Sequence, residues 1–269
     1  MNYDPFGIQN IKTLLASKNL FLSKNRGQNY LINRHIAEKI VQQLPSLEKN
    51  QAYFEVGTGL GALTVILADL GKTISLEIDK GIYHLVQENF CHPNLKHLHE
   101  DVLNYELKSS DSYIFVSNLP YCISGEVLKI FTENKCFDTG VLMLQKEFVN
   151  RMEADPGTPE YGPLSVIAQT FLEIKPLFMV GRGNFFPEPK IDSSVVSIKK
   201  KNISLNQKEF HEFIKICFHA KRKTLENNLV RSIWKDSILS YNKYLKSRPD
   251  AISPEEWHYL FMLKNKSSV

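Results

Sequence analysis

Residues 55–61 read Glu55-Val56-Gly57-Thr58-Gly59-Leu60-Gly61, and the reading of this stretch decides the fold. An apolar, β-prone run over 52–56 leads into it, and a helically spaced apolar pattern over 62–70 leads out. Three glycines at alternate positions let the chain turn tightly between strand and helix, and let a ligand approach with no Cβ in its way. A nicotinamide-binding loop usually reads G-x-G-x-x-G. Here the third glycine comes one residue early and an acidic residue precedes the first, which tilts the ligand away from a dinucleotide.

Outward from this loop, strands and helices alternate. The patterns predict helix 34–44, strand 52–56, helix 62–70, strand 73–78, helix 82–89, a short strand 96–98, strand 112–116, helix 125–133 and strand 140–144. Such alternation builds a parallel, doubly wound α/β sheet. A late strand over 195–198, following the proline-rich segment 186–189, is expected to be antiparallel and at an edge. From Asn206 the period becomes helical only, with Phe210, Phe213, Ile214, Cys217 and Phe218 on one face. Further helices are expected over 222–232, 236–244 and 254–263, the last opened by Ser253 as cap, Pro254 at the first helical position and Glu256 three residues after the cap. The expected division is an α/β domain over 1–202, opened by a basic extension over 1–26, and a small helical domain over 203–269.

A chain of 269 residues with 43% hydrophobic content can bury a full core and carry a second small domain. No apolar run approaches the roughly 20 residues of a membrane span, and the first residues lack a signal-peptide pattern, so a cytoplasmic location is expected. Cys91, Cys122, Cys136 and Cys217 form no C-x-x-C pair, which suits free thiols. The net charge of +4 is unevenly spread: +3 over 1–26, −7 over 27–198 and +8 over 199–269. Basic ends around an acidic middle suit a catalytic core whose polyanion contacts lie on its flanks; solvated lysines on exposed helices would give the same count.

Two acids extend the glycine loop into a binding site. Glu77 ends the strand after the loop, 20 residues beyond Gly57, where a carboxylate can accept both hydroxyls of a ribose. Asp101 follows the next strand, where a carboxylate can accept an adenine amino group; a surface carboxylate and a helix cap are the plainer readings of the two. Asn118-Leu119-Pro120-Tyr121 then ends the fourth strand. An adenine N6 amine is a poor nucleophile because its lone pair is delocalised into the ring. Attack on a methyl sulfonium therefore needs acceptors for both N–H groups. The Asn118 side-chain oxygen and the carbonyl of Leu119 or Pro120 can supply them, with Pro120 fixing the turn and Tyr121 stacking on a flipped-out base. Transfer from a sulfonium gives a cationic amine that loses its proton readily, so a neutral Asn suffices.

These motifs, with Gly27-Gln28-Asn29-Tyr30-Leu31, Gln145-Lys146-Glu147, Tyr161-Gly162-Pro163-Leu164-Ser165-Val166, the run from Phe185-Phe186-Pro187-Glu188-Pro189-Lys190 to Ser194, and Lys221-Arg222-Lys223-Thr224-Leu225, closely resemble the KsgA-type ribosomal RNA adenine dimethyltransferases over nearly the whole chain. The resemblance implies a Rossmann-like class I methyltransferase domain and S-adenosyl-L-methionine as cofactor. The implied cofactor pocket is formed by Gln28, Asn29, Leu31, Gly57, Gly59, Glu77, Asp101 and Asn118. It further implies Asn118, Leu119, Pro120 and Tyr121 as the catalytic loop and Phe185 as a second base-stacking aromatic, although the residues alone read Phe185 as core. The implied reaction is dimethylation of the N6 amines of two adjacent adenosines near the 3′ end of 16S rRNA in the small ribosomal subunit, by a monomer without a metal ion and away from membranes.

Three positions depart from the family's common pattern: Tyr30 where it has Phe, Thr58 where it has Pro, and Cys122 where it has Asn. A thiol cannot replace the hydrogen bonds of an amide, so Cys122 bears on the rigidity of the loop. Cys91, His92, His97 and His99 match no zinc spacing, and methyl transfer needs no Lewis acid. Lys199-Lys200-Lys201 and Lys221-Arg222-Lys223 are candidate phosphate contacts, with a solvated face as the other reading. The rivals are a large-subunit rRNA methyltransferase of the antibiotic-resistance type, an assembly protein that has lost turnover and, further off, a nicotinamide oxidoreductase. The N-terminal Lys24-Asn25-Arg26-Gly27-Gln28, Leu119 and the 185–190 segment favour the small-subunit enzyme over the first.

Overall fold

The structure is a computed structural model and describes residues 4–18, 20, 29–108, 110–230, 232, 234, 235, 238 and 242–263. The elements of its first compact unit, Met1–Lys146 with Lys175–Lys199, follow the alternation expected from the sequence. In chain order they are α1 (Ile8–Ser17), β1 (Tyr30–Leu31), α2 (Arg34–Val41), β2 (Gln51–Val56), α3 (Thr64–Leu70), β3 (Thr73–Glu77), α4 (Lys80–Asn89), β4 (Leu95–His99), β5 (Ser112–Asn118), α5 (Ser124–Glu133) and β6 (Phe137–Gln145). After α6 (Lys146–Met152) and α7 (Pro163–Phe171) come β7 (Leu172–Val180), β8 (Phe185–Phe186) and β9 (Ser193–Lys200). Seven strands form one sheet in the order β4-β3-β2-β5-β6-β9-β7, parallel from β4 to β6 and antiparallel between β6 and β9.

Two expectations need correction here. The late strand is antiparallel as expected but is not an edge, because β7 lies beyond it. The sequence reading missed β7, whose Leu172-Glu-Ile-Lys-Pro-Leu-Phe-Met-Val180 lacks strict alternation and contains a proline, a residue at home on an outer strand. It also missed α1, a ten-residue helix that buries Ile11 and Leu15.

Strand alternation sorts the core into two faces. Tyr53, Ile114, Val116, Val141 and Met143 point to one, where they pack with Ala37, Ile40 and Val41 of α2 and Leu67 of α3. Phe54, Phe115 and Phe137 point to the other, with ring centroids 5.1–5.8 Å apart in tilted and edge-on pairs, joined by Phe131 of α5. Helix starts are capped as the sequence chemistry demands. Asn33 Oδ1 accepts from Ile36 N (3.2 Å), and Asp79 accepts from Gly81 N and Ile82 N (2.9 and 3.2 Å).

The second unit comprises Glu147–Ile174 and Lys200–Val269, so the structural division does not follow the expected cut after residue 202. Residues 147–174 pack with the later helices: Phe171 of α7 meets Phe210 of α8 (Gln207–Cys217) edge-on at 5.4 Å, and the Tyr161 hydroxyl donates to Ile252 O at 2.7 Å. Two separate segments of the chain build this unit, an arrangement no local pattern announces. The face Phe210, Phe213, Ile214 and Cys217 of α8 is fully buried, as its spacing predicts. Before the helix Pro254–Leu263, Ser253 and Glu256 form the expected reciprocal cap: Glu256 N donates to Ser253 Oγ (3.2 Å) and Ser253 N to Glu256 Oε2 (3.0 Å). The expected helix 222–232 is the shorter α9 (Leu225–Leu229), and much of the expected 236–244 lies outside the described residues.

One ionisable group sits in the sheet itself. Glu55 of β2 is 1% exposed, and its Oε2 accepts from Thr64 Oγ1 (2.7 Å) and Ser75 Oγ (2.6 Å). Burial pushes its carboxyl up to about 7, with the nearby Glu77 adding to the rise and the two hydroxyls opposing it. A raised acid stabilises the fold below its unfolded value of 4.5, and that contribution is lost as pH climbs through 7. E55Q keeps an acceptor oxygen without the charge. Its stability relative to the wild type should therefore rise by about 3 kcal/mol between pH 5 and pH 8. Denaturant unfolding at both pH values measures this, and an equal gap at both contradicts it.

Candidate functional site

The carboxyl ends of β2, β3 and β5, with the chain just after β4, converge on a cavity of about 320 Å³. Its walls include Asn29, Tyr30 and Leu31, the glycine loop, Glu77, Asp101 and the Asn118–Cys122 segment. This is the edge at which ligands bind in open parallel sheets. Of the expected site residues, Asn29, Leu31, Gly57, Gly59, Glu77, Asp101, Asn118, Leu119, Pro120 and Tyr121 are therefore brought together; Gln28 lies outside the described residues.

The glycine loop needs its glycines at two points. Gly57 and Gly59 have φ of +77° and +53°, the left-handed region that side chains disfavour. A Cβ on Gly59 would lie 2.9 Å from Tyr30 Cδ1, so the Tyr30 ring occupies the space that this glycine leaves. The loop hangs from β3 by main-chain bonds: Gly57 N and Thr58 N donate to Leu76 O (2.8 and 3.1 Å). Gly59 N donates to Glu77 Oε2 (2.8 Å), and Asp79 N to Glu77 Oε1 (2.8 Å). Each oxygen of Glu77 thus holds main chain at the cavity wall.

Asp101 accepts from Leu103 N (2.9 Å) and from Asn104 Nδ2 (3.4 Å) in an Asx turn that aims its carboxylate at the cavity rim. Ile78 and Leu103 flank the two acids and also line the cavity, 56% and 47% exposed. Large apolar side chains left open beside carboxylates suit a flat ring system. The sequence reading passed over them, although an apolar residue directly after a strand-end acid was visible.

The catalytic-loop candidates are held tightly. Asn118 Nδ2 donates to Asn29 O (3.2 Å), which commits the amide nitrogen to main chain and leaves Oδ1 as an acceptor. Leu119 N donates to Met143 O (3.2 Å), and a Cβ placed on Gly57 would lie 3.4 Å from Pro120 Cδ, so the turn passes close beside the glycine loop. The Tyr121 hydroxyl shares a hydrogen bond with Ser193 Oγ at 2.9 Å, and burial raises its phenol above the ordinary value, which keeps it neutral. Cys122 lines the same wall and is exposed, so the thiol that replaces the family's Asn is no buried packing element.

Phe185, expected as a second stacking aromatic, is placed differently. It is 3% exposed, pairs with Leu31 where β1 meets β8, packs in the core cluster with Met143 and Val195, and does not line the cavity. The reading from the residues alone, a core side chain before a proline turn, matches this placement. The reason is the antiparallel register Tyr30↔Phe186 and Leu31↔Phe185, which turns Phe185 inward with Leu31.

Three comparisons bear on this site. A family described as "Ribosomal RNA adenine dimethylase" matches residues 21–266. A "Ribosomal RNA small subunit methyltransferase A" of Mesomycoplasma hyopneumoniae (strain 232) is 40% identical over 219 residues, covering 80% of this chain and 84% of that protein. The protein of the same name from Thermotoga maritima is 40% identical over 210 residues, covering 77% and 74%. Among solved structures, a dimethyladenosine transferase from Plasmodium falciparum superposes with a TM-score of 0.74 at 26% identity, over 88% of this chain and 98% of that one. The 23S rRNA methyltransferase ErmE superposes with a TM-score of 0.64 at 21% identity over 87% and 99%, a likeness of fold. The chain that builds this site belongs to the ribosomal RNA adenine dimethylase family.

Proposed function

We propose that this protein, acting as a cytoplasmic monomer, dimethylates the N6 amines of two adjacent adenosines near the 3′ end of 16S rRNA within the small ribosomal subunit. The family membership makes it an rRNA adenine methyltransferase dependent on S-adenosyl-L-methionine. The small-subunit choice rests on the names its similar relatives carry. No described helix is long and apolar enough to cross a membrane.

The cavity suits the cofactor. Glu77 lines the cavity at the end of β3 with a carboxylate that can accept from ribose hydroxyls, Asp101 can accept an adenine amino group, Ile78 and Leu103 offer apolar faces for the ring, and Gly57 and Gly59 give the loop its turn. When bound, the cofactor supplies the sulfonium methyl group. The observation that carries the catalytic reading is the Asn118 Nδ2 bond to Asn29 O, since it fixes Oδ1 as an acceptor for one N–H of the target amine. Pro120 O already accepts from Ile123 N at 3.2 Å, which favours Leu119 O as the second acceptor. Tyr121, its ring anchored through Ser193, offers a face for the flipped base. Both acceptors act on a neutral amine, and solvent takes the proton from the methylated product.

RNA contacts are assigned to the basic C-terminal unit. Lys201 Nζ and Lys221 Nζ donate to main-chain oxygens of Gln169 and Pro159 (2.7 Å each), so they brace the unit. Arg222 and Lys223 are exposed and remain the phosphate candidates of their cluster.

Labelled methyl transfer to small and large subunits from a strain lacking adenine dimethylation tests the substrate. Dimethyladenosine on small subunits alone supports the reading, and label on large-subunit RNA replaces it with the resistance-type activity. N118A should lower kcat by about 10²–10³-fold while subunit binding changes by less than about threefold; equal loss of both refutes the role of Asn118. R222E/K223E should weaken RNA binding and reduce the salt slope by about two, and an unchanged slope removes those residues from the interface.

A further inference from the structure

The first two glycines of the loop enclose one side chain, that of Thr58. Between Gly57 and Gly59, both at positive φ, Thr58 is 4% exposed, although it sits in a loop that lines a cavity. Its hydroxyl lies 2.5 Å from Ser75 Oγ, and Ser75, with no exposure, lies 2.6 Å from Glu55 Oε2. The direction of these bonds follows from donor counting. Each hydroxyl has one proton. Where Ser75 donates its one proton to Glu55 Oε2, which also accepts from Thr64, it accepts in turn from Thr58. A buried, one-way chain therefore runs from the loop's centre through β3 to the carboxyl of β2, and Thr64 ties the same carboxyl to the first turn of α3.

The main-chain bonds to Leu76 O and Glu77 Oε2 fix the height of the loop over β3. They do not fix the torsions of two adjacent glycine-flanked peptides, the most flexible backbone in the site. The family's common proline at this position would restrict φ covalently. Here a threonine replaces it, and the hydroxyl chain takes over the restriction.

We infer that Thr58 and Ser75 are positioning residues for methyl transfer: their buried hydroxyl chain to Glu55 holds the cofactor loop in its binding shape in place of a ring constraint. The inference rests on the reading that this cavity binds S-adenosyl-L-methionine. It assigns to neither residue a contact with the reacting atoms. Loss of the chain acts on cofactor affinity, because the loop must then be ordered at the expense of binding.

The test is calorimetric titration of the full-length protein with S-adenosylhomocysteine, with thermal melting of each variant alongside and steady-state KM for the cofactor. T58V keeps the branched shape and removes only the hydroxyl; it should weaken binding about tenfold. T58S keeps the hydroxyl and should bind within about twofold of the wild type. S75A should lose about as much as T58V, and T58V/S75A no more than the worse single variant, because both cut the same chain. KM for the cofactor should rise by the factor seen in titration, with kcat shifted far less. Wild-type affinity in T58V, equal loss in T58S and T58V, or additive losses in the double variant each overturn the inference. Absence of stoichiometric S-adenosylhomocysteine binding by the wild type would overturn the cofactor reading itself and the inference with it.

Discussion

The site depends on the absence of side chains where two loops and one ring meet. Gly57 lies against Pro120 and Gly59 against Tyr30, close enough that a Cβ at the second position would stand 2.9 Å from the tyrosine ring. Because Gly59 yields that space, Tyr30 can cover the loop from the N-terminal side. Gly57, at φ +77°, gives the loop the turn that side chains disfavour, and beside it the N-L-P-Y turn brings Asn118 to the same cavity. Cofactor chemistry and base chemistry are neighbours for this reason. The parallel sheet provides the shared edge, and the glycines allow the closeness.

That closeness is held by groups doing double duty. Glu77 supports Gly59 N and Asp79 N and also lines the cavity proposed for the cofactor. Asp79 caps α4, so of the two carboxylates at the end of β3 one starts the next helix while the other lines the cavity. Tyr30 belongs to the core cluster formed by Ile11 and Leu15 of α1 with Leu60, Ile82 and Leu85. The N-terminal helix is therefore packed into the same hydrophobic cluster that carries the cover of the cofactor loop. Glu55 is the costly member, a carboxyl taken out of water; it is tolerated because two hydroxyls meet it and because its proton stays on to near-neutral pH.

Most of the first unit was legible because its signals are local. The apolar, β-prone run Ala52-Tyr-Phe-Glu-Val56, the glycine spacing and the strand-end acids each report on a few consecutive residues, and the structure gathers the glycines and acids around one cavity. The reciprocal Ser253–Glu256 cap was readable for the same reason. What failed depended on distant partners. β7 is a strand because β9 offers it an edge, not because of its own pattern. Residues 147–174 join the helical unit through Phe171 and Tyr161, contacts separated by 39 and 91 positions from their partners Phe210 and Ile252. Phe185 shows the limit of arguing from a motif: the family pattern names it a stacking residue, while its register with Leu31 makes it core in this structure. The hydroxyl chain beneath Thr58 was unreadable, since nothing in the sequence says that Ser75 faces Glu55.

On the proposed function, one cavity at the carboxyl edge of the sheet holds the cofactor and faces the Asn118 acceptor. A crystal structure of the protein with S-adenosylhomocysteine tests it most directly. The account predicts the ribose hydroxyls on Glu77, the adenine amine on Asp101 with its ring between Ile78 and Leu103, and the thioether sulfur directed toward Asn118 Oδ1. A ligand bound elsewhere, or one in this cavity with its sulfur turned away from Asn118, would contradict it.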